Sequence, residues 1–247
     1  MATTFSVFAY DEYHSEPIAF EDIPLLLTII QNIRTLLTND PTIRHSYLCV
    51  YRQTVLDASP ATAQEDEVLQ TYFLRRWPEV RLMNMLPDMY ACIHRQSAPR
   101  RLYLNRQLAV SLRGYDSTAS AYSHNSIMLT VATIFHELAH LLWSDLHSPK
   151  VGTPPHFVFP TTRYFASGQL MEPPQWGESG FVVEGRLFHG ILLPVYEPGF
   201  EGNFMRIASL EMRRDLGGLY NEAGFRIRTS PSGYCFEHTL LFILYFL

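Results

Sequence analysis

His136, Glu137 and His140 are the residues whose types and spacing could do chemistry. They stand in the string His136-Glu137-Leu138-Ala139-His140. Side chains four apart on a helix lie one above the other, so the two imidazoles point the same way. Such a pair can hold one divalent metal, and Glu137 projects beside it, where the metal's water would sit. The chemistry implied is hydrolysis by metal-activated water with a Glu general base.

The string is set in Asn125–Trp143, where Ile127, Leu129, Val131, Ile134, Phe135, Leu138, Leu141 and Leu142 make a helix apolar on most of its circumference. A chance copy would more often fall on a polar surface helix. In an apolar one, three polar side chains are costly unless something compensates them. Small Ala139 between the histidines leaves room for a second backbone.

A catalytic zinc takes three protein ligands and keeps one position for water, so two histidines do not complete a site. The acidic residues downstream are Glu178 and Glu184, within Trp176–Gly190, which reads as a second helix. They diverge by roughly 120° around a helix and cannot both face one metal squarely.

The H-E-x-x-H string followed by Gly177-Glu178-Ser179-Gly180-Phe181-Val182-Val183-Glu184 resembles the gluzincin pattern, in which a Glu from a second helix completes the site. It is also similar to small intracellular zincin-like proteins of fungi, known mainly as uncharacterised sequences. The resemblance spans about residues 126–190 and is strong only at the five-residue motif. It implies a zincin-like fold, one Zn2+ per chain, His136 and His140 as ligands, Glu137 as base and Glu178 as third ligand. Metzincins are excluded, because their continuation would need Gly and His where Trp143 and Leu146 stand; no GTxD motif of the deuterolysin type follows either. Small Gly177, Ser179 and Gly180 around Glu178 would let its backbone approach the histidine helix, which favours Glu178 as ligand. Glu184 is then a partner to an imidazole N–H, or the alternative third ligand. One departure from better-known gluzincins is Val182, where they carry an Asp. Tyr164, His156 and Tyr220 are candidate oxyanion donors, with Tyr164 preferred.

These residues need a scaffold. At 247 residues and 47% hydrophobic content, the chain supports one substantial core. The expected fold is a single α+β domain over residues 1–247, helix-rich with a small mixed sheet. The histidine helix lies at its centre, and the metal-site core spans about residues 101–228. Helices are expected over Phe20–Leu37, Thr62–Arg75 and Val80–Arg95, the last broken near Pro87; His45–Val55 fits helix or strand. Arg101–Leu112 alternates like a strand, with Asn125 or Ser123 capping the helix that follows. Short strands are expected at Phe204–Met212 and Phe225–Arg228. The Pro- and aromatic-rich stretch Ser148–Gln175 reads as an ordered, irregular excursion.

A formal charge of −5 and no Lys/Arg-rich run exclude a nucleic-acid partner. Cys49, Cys92 and Cys235 are widely spaced and read as reduced thiols. With no secretory signal visible, they imply a cytoplasmic protein. Apolar Thr239–Leu247 is too short to span a bilayer and reads as a terminal buried element, so no transmembrane segment is expected. No G-x-S-x-G, GxGxxG or P-loop occurs. The leading expectation is a zinc-dependent metallopeptidase acting on a peptide or small molecule. The alternative is a zincin-fold metalloprotein without peptidase activity.

Overall fold

A computed structural model describes residues 8–9, 23–54, 59–86, 89–94, 100–113, 121–147, 153 and 179–213. The elements in chain order are β1 (Phe8–Ala9), α1 (Pro24–Asn39), α2 (Pro41–Arg44), α3 (Leu48–Tyr51), α4 (Ala63–Arg75), β2 (Glu79–Met83), β3 (Ala91–Ile93), β4 (Arg101–Asn105), α5 (Arg106–Val110), α6 (Ala121–His147), α7 (Ser179–Phe188), β5 (Ile191–Tyr196) and β6 (Ile207–Arg213). The fold is α+β. A four-stranded mixed sheet runs in the order β1-β2-β4-β3, and β5 and β6 form a separate antiparallel pair. Strands β1, β2 and β4 are parallel, while β3 turns back antiparallel along β4.

The centre of the structure is α6. From Ile127 to Trp143 its apolar side chains are buried all round. By composition the stretch His124–His147 could cross a membrane, but 94% of that window is buried inside the protein. Its apolar surface is covered by the chain's own elements: α7, β6, β3 and α3 pack on it from different sides. Tyr47, fully buried just before α3, donates its hydroxyl to the Phe135 carbonyl at 2.8 Å, next to His136. Burial pushes the Tyr47 phenol well above its usual range, so it stays a donor at any working pH.

Helix α1 buries Leu26, Ile29, Ile30, Ile33, Leu36 and Leu37 on one face, the spacing of an amphipathic helix. Pro24 is tolerated in its first turn, and Asp40 ends it. The Asp40 carboxylate then accepts from Thr42 N at 2.8 Å and Ile43 N at 3.4 Å, starting α2. Helix α4 begins with a capping box in which Thr62 and Glu65 satisfy each other's backbone amides.

Several expectations change. The region Val80–Arg95 is not a broken helix. It forms strands β2 and β3, because Val80 and Leu82 alternate inward while Arg81 pairs with Glu79 at the surface. Strand β4 stops at Asn105, short of the expected Leu112. The Asn105 side chain accepts from Gln107 N at 3.0 Å and caps α5, ending the strand. Asn125 does not cap α6, which begins four residues earlier; its Nδ2 instead donates to the Ile207 carbonyl at 2.9 Å, tying α6 to β6. His45–Tyr51 is helical, a 3-10 turn running into α3, and Phe204–Arg206 is a 3-10 turn before β6. Strand β5 had no sequence expectation. Phe225–Arg228, Ser148–Gln175 apart from buried Thr153, and Thr239–Leu247 lie outside the described residues.

The helical layer is held together by a buried cation. Arg44, 2% exposed, donates to both carboxylate oxygens of Asp66 at 2.9 and 2.7 Å and to the carbonyls of Leu37 and Thr38. One guanidinium therefore joins α2 to α4 and satisfies the frayed end of α1. Arg44, aided by His45, holds the Asp66 carboxyl below the usual carboxylate range. A lowered folded-state pKa stabilises the protein above the unfolded value of about 3.9 and loses that contribution as pH falls through the folded value. Asp66→Asn should therefore lower stability at pH 7 by about 1–3 kcal/mol, since it strands a buried charge. Denaturant melts at pH 7 and pH 3 check this: the gap between wild type and variant should narrow at pH 3, and a pH-independent gap rules out the ion pair as its cause.

Candidate metal centre

The two histidines of α6 face one another. His136 Nε2 and His140 Nε2 are 3.1 Å apart, with ring centroids at 4.9 Å and planes at 67°. Each ring is also held on its far side. His136 Nδ1 lies 2.7 Å from Glu184 Oε1, and His140 Nδ1 lies 3.0 Å from Ser179 Oγ. Both partners belong to α7. Glu184 is 4% exposed and Ser179 is fully buried. The other Glu184 oxygen accepts from Leu192 N at 3.3 Å, so the first strand of the β5–β6 pair fixes the carboxylate.

Glycine sets how closely α7 can come. A Cβ added at Gly180 would fall against His136 Cγ, Cδ2 and Nε2, well inside van der Waals contact. The His136 ring occupies the space where any other residue would carry its side chain. Phe181 covers the same ring edge-on at 4.7 Å. The small Ser179-Gly180 pair and the larger Phe181 thus form a seat for one imidazole.

The charge logic follows from the partners. A carboxylate only accepts, so Glu184 selects the His136 tautomer with its proton on Nδ1 and leaves Nε2 as a lone pair. That lone pair points at His140 Nε2. A serine hydroxyl can donate or accept, so Ser179 suits either tautomer of His140. The pair therefore presents at least one nitrogen lone pair, and two whenever Ser179 accepts.

Glu137 is 7% exposed. Its negative charge reaches Cys92 on β3, where burial first and Glu137 second push the thiol up to about 11. Burial likewise pushes Cys49 up to about 11. Both are free cysteines and stay protonated at neutral pH, which removes them as nucleophiles. Edge strand β3 also packs along α6.

His136, His140 and Glu184 come together, while Glu137, next along α6, lies within electrostatic reach of Cys92 on β3. Glu178, Tyr164, His156 and Tyr220 lie outside the described residues, and among the described residues no group of three or more His, Cys, Asp or Glu is arranged as a metal cage. Two contributors carried no sequence signal of their own: the hydroxyl of Ser179 and the main-chain amide of Leu192. Compared with known proteins, the chain matches no family model, no curated protein and no solved structure.

Gly180→Ala is the direct test of this packing. The added methyl must displace either α7 or the His136 ring, at a cost of about 1–3 kcal/mol. Thermal melts should show that loss, and the two-histidine geometry should loosen with it. A Gly180→Ala protein with wild-type stability and metal uptake would mean that α7 does not sit on His136.

Proposed function

We propose that the protein is a zinc-dependent hydrolase of the zincin-like, gluzincin-type class, a metallopeptidase. The observation that carries this reading is the His136–His140 pair, whose Nε2 atoms converge to 3.1 Å while each Nδ1 is held from behind. Two nitrogens bound to one tetrahedral zinc at 2.0–2.1 Å stand about 3.3–3.4 Å apart, so the donors are already spaced to within a few tenths of an ångström. Imidazoles with a carboxylate or hydroxyl behind them are the usual arrangement of metal-binding histidines.

His136 and His140 would hold the ion, with Glu178 as third ligand. Glu178 immediately precedes Ser179 in the chain, next to the residue that supports His140. Glu184 supports this assignment from the other direction, because one of its oxygens is committed to His136 and the other to Leu192 N. A bound zinc supplies Lewis acidity, making water a usable nucleophile near neutral pH and polarising a carbonyl. Glu137, one residue from His136 on the same helix, would serve as general base, accepting a proton from water and passing it to the leaving amine. Glu184 and Ser179 keep the two rings aimed. Tyr164 is the proposed oxyanion donor.

A second reading rests on the same distances. With one proton on His140 Nε2, the run Glu184–His136–His140–Ser179 closes as a continuous hydrogen-bond chain and needs no ion. The histidines then serve as a buried polar link between α6 and α7. An intact Glu137 beside the pair favours the metal reading, since a purely structural link has no use for a base.

Metal analysis separates the two. The purified protein should carry about one zinc per chain, and His136→Ala and His140→Ala should each lose it under chelator challenge. Full metal retention in both variants, or no metal uptake by wild type, removes the metal reading. Glu137→Gln should keep metal and fold while hydrolysis in a peptide-library assay drops by several orders of magnitude, because the amide cannot accept the water proton. A Glu137→Gln protein with wild-type turnover would leave the residue without a catalytic role.

The third ligand is tested by comparing two variants. Glu184→Gln and Ser179→Ala should weaken zinc by about tenfold to a hundredfold, the range for residues that act through a ligand. Glu178→Gln should weaken it well beyond that. Competition with a zinc chelator gives the affinities, and the reverse ranking of the two glutamates would make Glu184 the ligand.

A further inference from the structure

A cavity of about 540 Å3 lies away from the histidine pair, and the Proposed function makes no use of it. Its walls include Asn84, just past β2, Arg106 at the start of α5, and Glu201, Asn203, Phe204 and Met205 from the segment joining β5 to β6. Ser126 fixes its position relative to α6 by donating to the Phe204 carbonyl at 2.9 Å. His136 follows ten residues later, about 15 Å along the helix axis, so the two places are separate.

Arg106 is what makes this cavity chemically specific. Its Nε is buried without any hydrogen-bond partner. Among the described residues its guanidinium has no carboxylate or carbonyl to donate to, whereas Arg44, Arg52, Arg81, Arg101 and Arg206 each have an anionic partner. The cavity wall also carries one carboxylate, Glu201, whose Oε1 accepts from Gly199 N at 3.2 Å. Backbone amides of that turn hold the Glu201 carboxyl below its usual range, so it stays an anion at the exposed edge of the wall. Asn203 Oδ1 accepts from Met205 N at 3.0 Å, which leaves the NH2 of that amide as a donor. The cavity therefore combines a cation with no partner among the described residues and an amide donor with the exposed Met205 side chain, Glu201 standing in the same wall. Phe204 is buried at 1% exposure and Met205 stands 56% exposed.

We infer that this cavity binds a small organic anion, a carboxylate or a phosphate ester carried on an apolar body. An anionic oxygen would meet the Arg106 guanidinium in a charge-assisted hydrogen bond, and the apolar part would lie on the exposed Met205 side chain. The volume suits such a ligand, since small-molecule sites run from about 300 to 1,000 Å3.

Calorimetric titration of the full chain with phenyl phosphate, phenylacetate, benzyl alcohol and phenethylamine tests this. One of the two anions should bind saturably at one per chain, and their order tells whether phosphate or carboxylate is preferred. The neutral and cationic probes should not bind. Arg106→Gln should weaken the preferred anion at least tenfold, with Arg106→Lys weakening it less. Exposed Met205 allows a second variant that leaves the fold intact: Met205→Glu places a negative charge in the cavity wall and should weaken the same anion. Should Arg106→Gln fail to fold, Met205→Glu decides alone. Equal binding of benzyl alcohol or phenethylamine, no saturable binding of either anion, or wild-type affinity in the variants overturns the site.

Discussion

Helix α6 is apolar on every side, and that constraint organises the structure. A helix of this kind has no face to give to water, so the chain must supply a neighbour in every direction. Sheet strand β3, helices α3 and α7 and strand β6 meet that demand. Enclosure then creates a second demand. Polar side chains inside such a shell have no water to turn to, so each must find its partner among the enclosing elements. His136 finds Glu184, His140 finds Ser179, Ser126 finds the Phe204 carbonyl just before β6, and Asn125 finds the Ile207 carbonyl at its start.

Helix α7 answers this demand for the two rings with three consecutive features of its sequence. Ser179 brings a hydroxyl, Gly180 brings an absence of side chain, and Glu184, just over one turn on, brings a carboxylate. Each acts on a histidine, and none acts through bulk. Elsewhere on α7, Val182, Val183, Leu187 and Phe188 join the main hydrophobic cluster, so the helix is anchored by packing before its polar contacts are counted. Rigid support of this sort holds the two imidazoles aimed within narrow limits.

Much of this was legible in the chain. The density of Ile, Leu and Val around His136 marks α6 as interior, and the three-four spacing of Leu26, Ile29, Ile30, Ile33 and Leu37 marks the buried face of α1. The capping box is written in Thr62 and Glu65. What was not legible depended on competition between nearby residues. Val80–Arg95 holds enough apolar residues for either period, and sheet pairing with Arg101–Asn105 decided it. Arg101–Leu112 reads as one strand until the Asn105 side chain is seen turning the chain into α5. Asn125 has the composition of a cap but is used for tertiary bonding, which no local rule registers. A single serine such as Ser179, or an arginine such as Arg106, shows no spacing by which to find it.

The bond from Leu192 N to Glu184 has a separate meaning. The amide that steadies the carboxylate belongs to the main chain, so it is present whatever side chain stands at position 192, proline alone excepted. The outermost tier of the histidine site is therefore insulated from ordinary substitution. Descendants of this chain could exchange the apolar residue at the head of β5 freely for its packing, and the aim of His136 would be inherited unchanged. Drift in the hairpin would show itself in the core and leave the Glu184–His136 contact alone.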